Sequence, residues 1–233
     1  MSGAPWDIYA EQLTHLGYGY PLWVPDPAPG TSPIEIGDVG WIKDGEFVPL
    51  FNALRGENES QPMNAVPVDH VPLDIRRLSI RGPRDRISQP ILCSRSVRTL
   101  EVSGASSGSS CGFNFNFECA DDAGALLLLS PAGRAEDILS RRHILDYVEA
   151  NFDRWMEFAN SQQGLGLKEE QILFVSGTMK TSRWGVAAFK GKVRTKQGAV
   201  VGNLGTIAEV DFSLSITDAQ LSTTHSKGPP GRP

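Results

Sequence analysis

The chain has 233 residues, an apolar fraction of 40% and a formal charge of −5. That length buries one substantial core or two small ones, and so mild a charge calls for no polyanionic partner by itself. Glycine (24) and proline (16) put turns throughout the chain and disfavour an all-helical architecture.

Positions 1–72 read as a proline-rich segment of short strands and turns wrapped on the main domain. Gly17-Tyr18-Gly19-Tyr20-Pro21-Leu22-Trp23 is followed by Pro25, Pro27, Pro29 and Pro33. Two strands, around Ile34–Ile42 and Phe47–Phe51, flank Asp44-Gly45, a pair that tolerates the positive φ of a hairpin turn. Proline in such strands places them at a sheet edge. Residues 55–67 are polar and read as an exposed loop.

A core domain is expected over 73–217. A strand around 91–102 leads into the Ser/Gly tract 103–110, which reads as a flexible loop. Phe113-Asn114-Phe115-Asn116-Phe117 alternates strictly, which puts three phenylalanines on one strand face. Ala125–Leu129 is an apolar run too short to cross a bilayer and suited to a buried strand. A long amphipathic helix is predicted from Glu136 to Asn160. Its apolar face carries Ile138, Leu145, Val148, Phe152, Trp155, Met156 and Ala159, with Asp146, Glu149, Asp153 and Glu157 opposite. Gly164 and Gly166 end it. Strands follow over Ile172–Ser176 and Trp184–Val193, with a connection near Lys196-Gln197-Gly198. In the next strand, 208–216, Ala208, Val210, Phe212, Leu214 and Ile216 share one face. Positions 218–233 read as a disordered or truncated tail. These elements define an α+β fold, a twisted and mainly antiparallel sheet covered by one long helix.

No motif for catalysis stands out. Phe174-Val175-Ser176-Gly177 leads to Lys180-Thr181, but a phosphate-binding loop needs a glycine directly before the lysine and a helix after it. A strand ending in a turn accounts for the segment better. His15, His70, His143 and His225 stand in no nucleophile context, and His143 reads as a helix-surface residue. Cys93, Cys111 and Cys119 are odd in number and form no CxxC pair, which fits a reducing compartment better than a disulfide scaffold. Cys111 and Cys119 also lack a paired histidine for metal binding. Asp121-Asp122 reads as a turn. No metal, no cofactor and no enzymatic activity are expected, although dispersed catalytic residues stay open. The opening MSGAPWDIYAEQ carries no secretory pattern, so the expected compartment is the cytoplasm, with conditional membrane association.

Charge is the most informative feature. Arg76, Arg77, Arg81, Arg84, Arg86, Arg95 and Arg98 face only Asp74 and Asp85 between positions 74 and 98. Lys180, Arg183, Lys190, Lys192, Arg194 and Lys196 form a second stretch with no acid, so 13 of the 22 basic residues lie in two segments. Such asymmetry suits an acidic phospholipid membrane or an acidic protein surface. The plainer alternative is a solvated face balanced by the acidic helix. Nucleic acid is disfavoured, because no nucleic-acid-binding module is visible. The candidate lipid-binding residues are Arg76, Arg77, Arg81, Arg84, Arg86, Lys190, Lys192, Arg194 and Lys196.

Two resemblances extend this reading. Gly17–Trp23, Ile36–Gly40, Leu50-Phe51-Asn52 and Ile172–Gly177, with Lys180-Thr181 and Trp184, resemble a family of mushroom-forming (basidiomycete) fungi that implies no activity. Its members continue with a further strand, so a short C-terminus is expected. The order of sheet strands, long helix, Phe174-Val175-Ser176 strand, hairpin and alternating strand resembles the pore-forming domain of gasdermins and perforin-like proteins. That resemblance implies basic surfaces that bind acidic lipid, sheet segments that open into membrane-spanning hairpins, and assembly of identical copies. The proline-rich opening departs from the gasdermin pattern by replacing a membrane-contacting helix. A spanning strand needs about 9–11 alternating residues, which 208–216 supplies; packing of one strand face on the helix explains the same alternation. The rival function is a soluble protein-binding or accessory module that uses Tyr18, Tyr20 and Trp23.

Overall fold

The structure, a computed structural model, describes residues 3–27, 31–107, 110–119, 121–130, 132–190, 196–203, 211–216 and 221–227. The chain opens with helix α1 (Pro5–Leu13), followed by β1 (Asp38–Lys43), β2 (Glu46–Asn52), β3 (Ile80–Ile87), β4 (Ile91–Cys93), β5 (Val97–Ser107), β6 (Ser110–Cys119), β7 (Ala123–Ser130) and β8 (Gly133–Ile138). Helix α2 (Arg141–Glu157) then precedes β9 (Leu173–Phe174), β10 (Gly177–Lys180), β11 (Arg183–Lys190), β12 (Lys196–Asn203), β13 (Asp211–Ile216) and β14 (Leu221–Lys227). The fold is α+β with antiparallel ladders. Its strands divide among sheets ordered β2-β1-β9, β10-β8-β3, β14-β11-β7-β4 and β13-β12-β6-β5.

Two compact units share the chain. The first takes Met1–Trp23, Asp85–Gly133 and Lys180–Pro233; the second takes Val24–Arg84 and Arg134–Met179.

In the first unit, β7 and β11 are the inner strands of their sheet and run antiparallel from Arg183↔Ser130 to Lys190↔Ala123. Ala125–Leu126, Leu128–Leu129 and Trp184–Phe189 are buried, so the apolar run expected to be a central strand is one. Helix α1 packs on these two strands. It corrects the reading of the N-terminus as strands and turns only. Pro5 occupies the first turn, where its missing N–H has no partner to lose. Asp7 sits near the positive end, and Ile8, Tyr9, Ala10 and Leu13 are buried. Tyr9 meets Trp23 edge to face at 5.4 Å. Strand β14 pairs with β11 from Trp184↔Lys227 to Lys190↔Leu221, so Leu221–Lys227 is ordered sheet where a loose tail was expected. Its polar residues 222–226 gave no apolar signal of that pairing.

In the second unit, β1 and β2 form the expected hairpin. Asp44 (φ 51) and Gly45 (φ 81) close the two-residue turn, both in the left-handed region that matches strand twist. Pro49 lies on β2, an edge strand as expected, whereas β1, also expected at an edge, is the centre of its sheet because it pairs with both β2 and β9. Phe51, fully buried, contacts Trp155 at 5.7 Å and Phe158 at 5.8 Å, and Val39, Leu50 and Ile172 join that core.

The long helix begins at Arg141 rather than Glu136. Residues 136–138 belong to β8, the centre of its sheet, where Ala135 and Ile138 are buried; ladder pairing overrides the local helical pattern. Ile144 is buried where Leu145 was expected, because at about 100° per residue Ile144 lies about 20° from the buried Trp155 and Leu145 about 80° from it. After Glu157 a π turn covers Phe158–Gln162, and Gly164 and Gly166 take positive φ as expected. Asp146, Glu149, Asp153 and Glu157 are exposed as read.

A buried polar hub ties this unit together. Asn52 donates from Nδ2 to Ile36 O (3.0 Å) and to Asp38 Oδ1 (2.8 Å), and its Oδ1 accepts from Leu54 N–H (2.9 Å). Asp38 Oδ2 accepts from Glu35 N–H at 2.7 Å. Burial pushes the Asp38 carboxyl above its ordinary range, while these two hydrogen bonds pull it back.

Candidate membrane-inserting sheet and basic surfaces

Four strands of the first unit form two hairpins side by side. β5 pairs with β6 from Val97↔Cys119 to Ser107↔Ser110, with an irregularity between Thr99 and Glu101. The tract 103–107, expected to be loop, is therefore strand: Ser and Gly carry weak strand propensity, and pairing with β6 supplies what propensity does not. β12 pairs with β6 from Lys196↔Cys119 to Asn203↔Gly112, so Lys196-Gln197-Gly198 opens a strand where a connection was expected. β13 completes the sheet from Gly198↔Ile216 to Asn203↔Asp211. The Ser107↔Ser110 and Asn203↔Asp211 pairs lie toward one end of the sheet, so both hairpins turn there.

Register aligns the alternation across all four strands. One set of rows reads Thr99–Phe117–Gly198–Ile216, Val102–Phe115–Val200–Leu214 and Gly104–Phe113–Gly202–Phe212. The rows between them read Glu101–Asn116–Ala199–Ser215, Ser103–Asn114–Val201–Ser213 and Ala105–Gly112–Asn203–Asp211. Directly paired residues share a face and successive residues alternate. Over these six rows one face gathers apolar and glycine positions with a single hydroxyl, and the other gathers the carboxylates and amides among serine and small apolar positions; beyond them Lys196, in the row with Val97 and Cys119, and Ser106, opposite Cys111, fall on the first face. Phe212, Leu214 and Ile216 of the predicted membrane strand fall on the apolar rows; Ala208 and Val210 lie outside the described residues.

The basic residues divide between the two units. Arg76, Arg77, Arg81 and Arg84 belong to the second unit, and Arg86, Lys190 and Lys196 to the first. Lys192 and Arg194 lie outside the described residues. Arg76 grips Asp74 through Nε and Nη2, both at 3.0 Å, which holds the aspartate below its usual range and raises the guanidinium. Asp137 on β8 accepts from Arg81 at 2.7 Å and lies 3.8 Å from Arg84. These two arginines secure the edge strand β3, seven of whose eight residues are exposed. Arg86 stacks over Tyr18 at 5.8 Å. Lys190 ends β11 opposite Ala123, and Lys196 begins β12.

Sequence reasoning missed Arg141 and Arg142. A helix assumed to start at Glu136 made them interior positions, whereas they occupy its first turn and are exposed. It also missed the exposure of Ile75, Ile80 and Leu139, and placed Leu145, which is exposed, on the apolar helix face.

Among the other candidate groups, His15 Nε2 is buried with no hydrogen-bond partner. His70 Nε2 lies 2.9 Å from Arg55 O, and His143 is on the exposed side of α2. Burial pushes the Cys93 thiol up to about 11, which suppresses the reactive thiolate. No group of three or more metal-ligating side chains occurs among the described residues, and no described helix is long and apolar enough to cross a membrane. Of the aromatic trio Tyr18, Tyr20 and Trp23, the last is buried against Tyr9 while the tyrosines are exposed. No family model, no curated protein and no solved structure matches this chain.

Proposed function

We propose that the protein is a non-enzymatic, membrane-interacting module that inserts its paired hairpins into anionic bilayers as part of a homo-oligomeric pore, in the manner the gasdermin resemblance implies. One observation carries the reading: β5–β6 and β12–β13 lie side by side, turn at the same end, and bring their alternation into common rows. The ten residues of β6 extend about 33 Å at ~3.3 Å per residue, or about 25 Å when tilted by ~40°, the height of the apolar band of a membrane barrel. Apolar rows on one face suit lipid, and amide and carboxylate rows on the other suit a water-filled lumen. Lipid offers no partner to backbone groups, so the outer strands β5 and β13 would each need a neighbouring copy. Lysine and arginine outside the sheet favour the negative cytoplasmic leaflet, with the protein held in the cytoplasm until it is recruited there.

Dye release from large unilamellar vesicles tests this directly. Vesicles of phosphatidylcholine with phosphatidylserine release the dye in proportion to added protein, and pure phosphatidylcholine vesicles stay intact. Binding to the anionic vesicles without release at any protein concentration refutes the pore. The rival accessory module predicts neither binding nor release.

A further inference from the structure

We infer that the second unit carries its own docking face for an anionic bilayer surface, built where the turn at Ile75–Arg77 meets the start of α2; this rests on the membrane reading above and assigns first contact to a different unit. Backbone hydrogen bonds bring the two segments together. Ser79 N–H donates to Ser140 Oγ and Leu139 N–H donates to Ser79 O, both at 2.7 Å. Leu78 N–H closes the turn on Ile75 O at 3.0 Å.

Three properties converge there. Ile75 is 54% exposed and Leu139 52%, while Leu145 lies one helical turn beyond Arg141 and Arg142 and is also exposed. Large apolar side chains grouped on a surface mark an interaction site. On the same segments, residues 74–84 and 137–146 carry six arginines (76, 77, 81, 84, 141 and 142) against three carboxylates, with Asp74 pairing with Arg76, Asp137 with Arg81 and Arg84, and Asp146 with Arg142 at 2.8 Å. Finally, Arg141 and Arg142 stand at the positive end of the α2 dipole, whose first turn has no acid. Helices favour the opposite placement there. The Ser140 hydroxyl gives α2 no side-chain cap and instead accepts the Ser79 N–H. A local rule broken at an exposed site points to function, and excess positive charge at a helix N-terminus suits phosphate.

Exposed apolar side chains and an excess of arginine on two joined segments fit the headgroup and acyl boundary, where apolar side chains enter and arginines meet lipid phosphate. An acidic protein would use the arginines but leave Ile75, Leu139 and Leu145 without a reason to be exposed.

Two double variants test it by sedimentation with vesicles of phosphatidylcholine and phosphatidylserine: Arg141→Ala with Arg142→Ala, and Ile75→Ser with Leu139→Ser. All four positions are exposed, and circular dichroism checks that both variants fold. Each arginine near an anionic surface contributes about fivefold, so the first variant binds roughly 25-fold more weakly, with a shallower salt dependence. The second loses affinity at all salt concentrations. Dye release by both recovers at saturating dose, because the paired hairpins lie in the other unit. Variants that bind as the wild type does overturn the docking face and leave the pore standing. Wild-type binding lost in both variants, without dye release, supports the docking face and refutes the pore. Wild-type protein that binds polyglutamate but not anionic vesicles overturns the docking face.

Discussion

Replacing Val200 by arginine separates the proposed lipid face from the proposed lumen face one residue away. Val200 stands in the middle of β12, in the row Val102–Phe115–Val200–Leu214, four residues from Lys196 and three from Asn203. At that depth an arginine on the lipid face of a barrel costs about 2–4 kcal/mol. At ~1.4 kcal/mol per tenfold this lowers the inserted population by about thirtyfold to a thousandfold for each copy. Ala199 occupies the next row, with Glu101, Asn116 and Ser215, and Ala199→Arg places the same charge on the polar face. The expected result is dye release abolished by Val200→Arg and retained, with altered ion selectivity, by Ala199→Arg. Leu214→Ser, which removes apolar area from the same row without adding charge, gives an intermediate loss. Thermal melting of each variant establishes that the starting fold persists. Equal effects of Val200→Arg and Ala199→Arg would refute the assignment of faces, whatever the wild-type protein does to vesicles.

Other expectations concern the second unit and the buried thiol. Asn52→Asp puts a second carboxylate 2.8 Å from Asp38 and removes the donor to Ile36 O. Two buried carboxylates cannot both ionise cheaply, so the folded pKa of the new group rises above its unfolded value. Stability is then lost as pH rises through that folded pKa; urea titrations should show a penalty of roughly 3–5 kcal/mol at pH 7.5 that shrinks markedly by pH 4.5, and a pH-independent penalty would contradict the hub. Gly40→Ala brings a Cβ to 2.2 Å from Val48 O and 2.9 Å from Pro49 Cα, both backbone atoms that cannot yield. The cost sits at the upper end of ~1–3 kcal/mol, measured as a lowered denaturation midpoint. Tyr147→Phe removes the 2.9 Å bond to Val71 O, which speeds hydrogen exchange across 66–73 at a cost of about 1 kcal/mol. With Cys111 and Cys119 replaced by alanine, Cys93 reacts with maleimide at pH 7.4 about a hundredfold more slowly than an unshifted thiol, as expected for a pKa raised from 9.0 to about 11.

What the sequence made legible was local. Asp44-Gly45 encodes its own turn because the two residues tolerate the positive φ that a two-residue hairpin requires. The aromatic face of α2 was readable because Phe152, Trp155, Met156 and Ala159 recur within two turns. Its start was not. Arg134–Ile138 satisfies a helical and a strand pattern equally, and only the ladder it joins decides between them. Helix α1 was hidden by the prolines around it, although Pro5 is compatible with a first turn. β14 was hidden because a strand of serine, threonine and histidine takes its stability from β11 rather than from its own composition.

The proposed site divides in the same way. The alternation of Phe113–Phe117 and of 210–216 is visible in one dimension, but it distinguishes neither a soluble strand from a spanning one nor an isolated hairpin from a pair. What joins the hairpins into a pair is register between segments remote in sequence. A shift of one residue between β6 and β12 would set Phe115 against Val201 and bring the Val201–Ser213 polar row across the apolar one. The observed pairing avoids that on three successive apolar rows. β12 also places glycine opposite two of the three phenylalanines of β6, Gly202 opposite Phe113 and Gly198 opposite Phe117. Glycine in a strand interior weakens it, so a sheet that served only to fill a soluble core would gain by replacing both. In the proposed pore these positions would lie in a lipid-facing row, where glycine would give the curvature that a closed wall requires. Gly198→Val and Gly202→Val should therefore raise the thermal stability of the soluble protein while lowering its dye release, and a parallel change in both would count against the role given to this sheet.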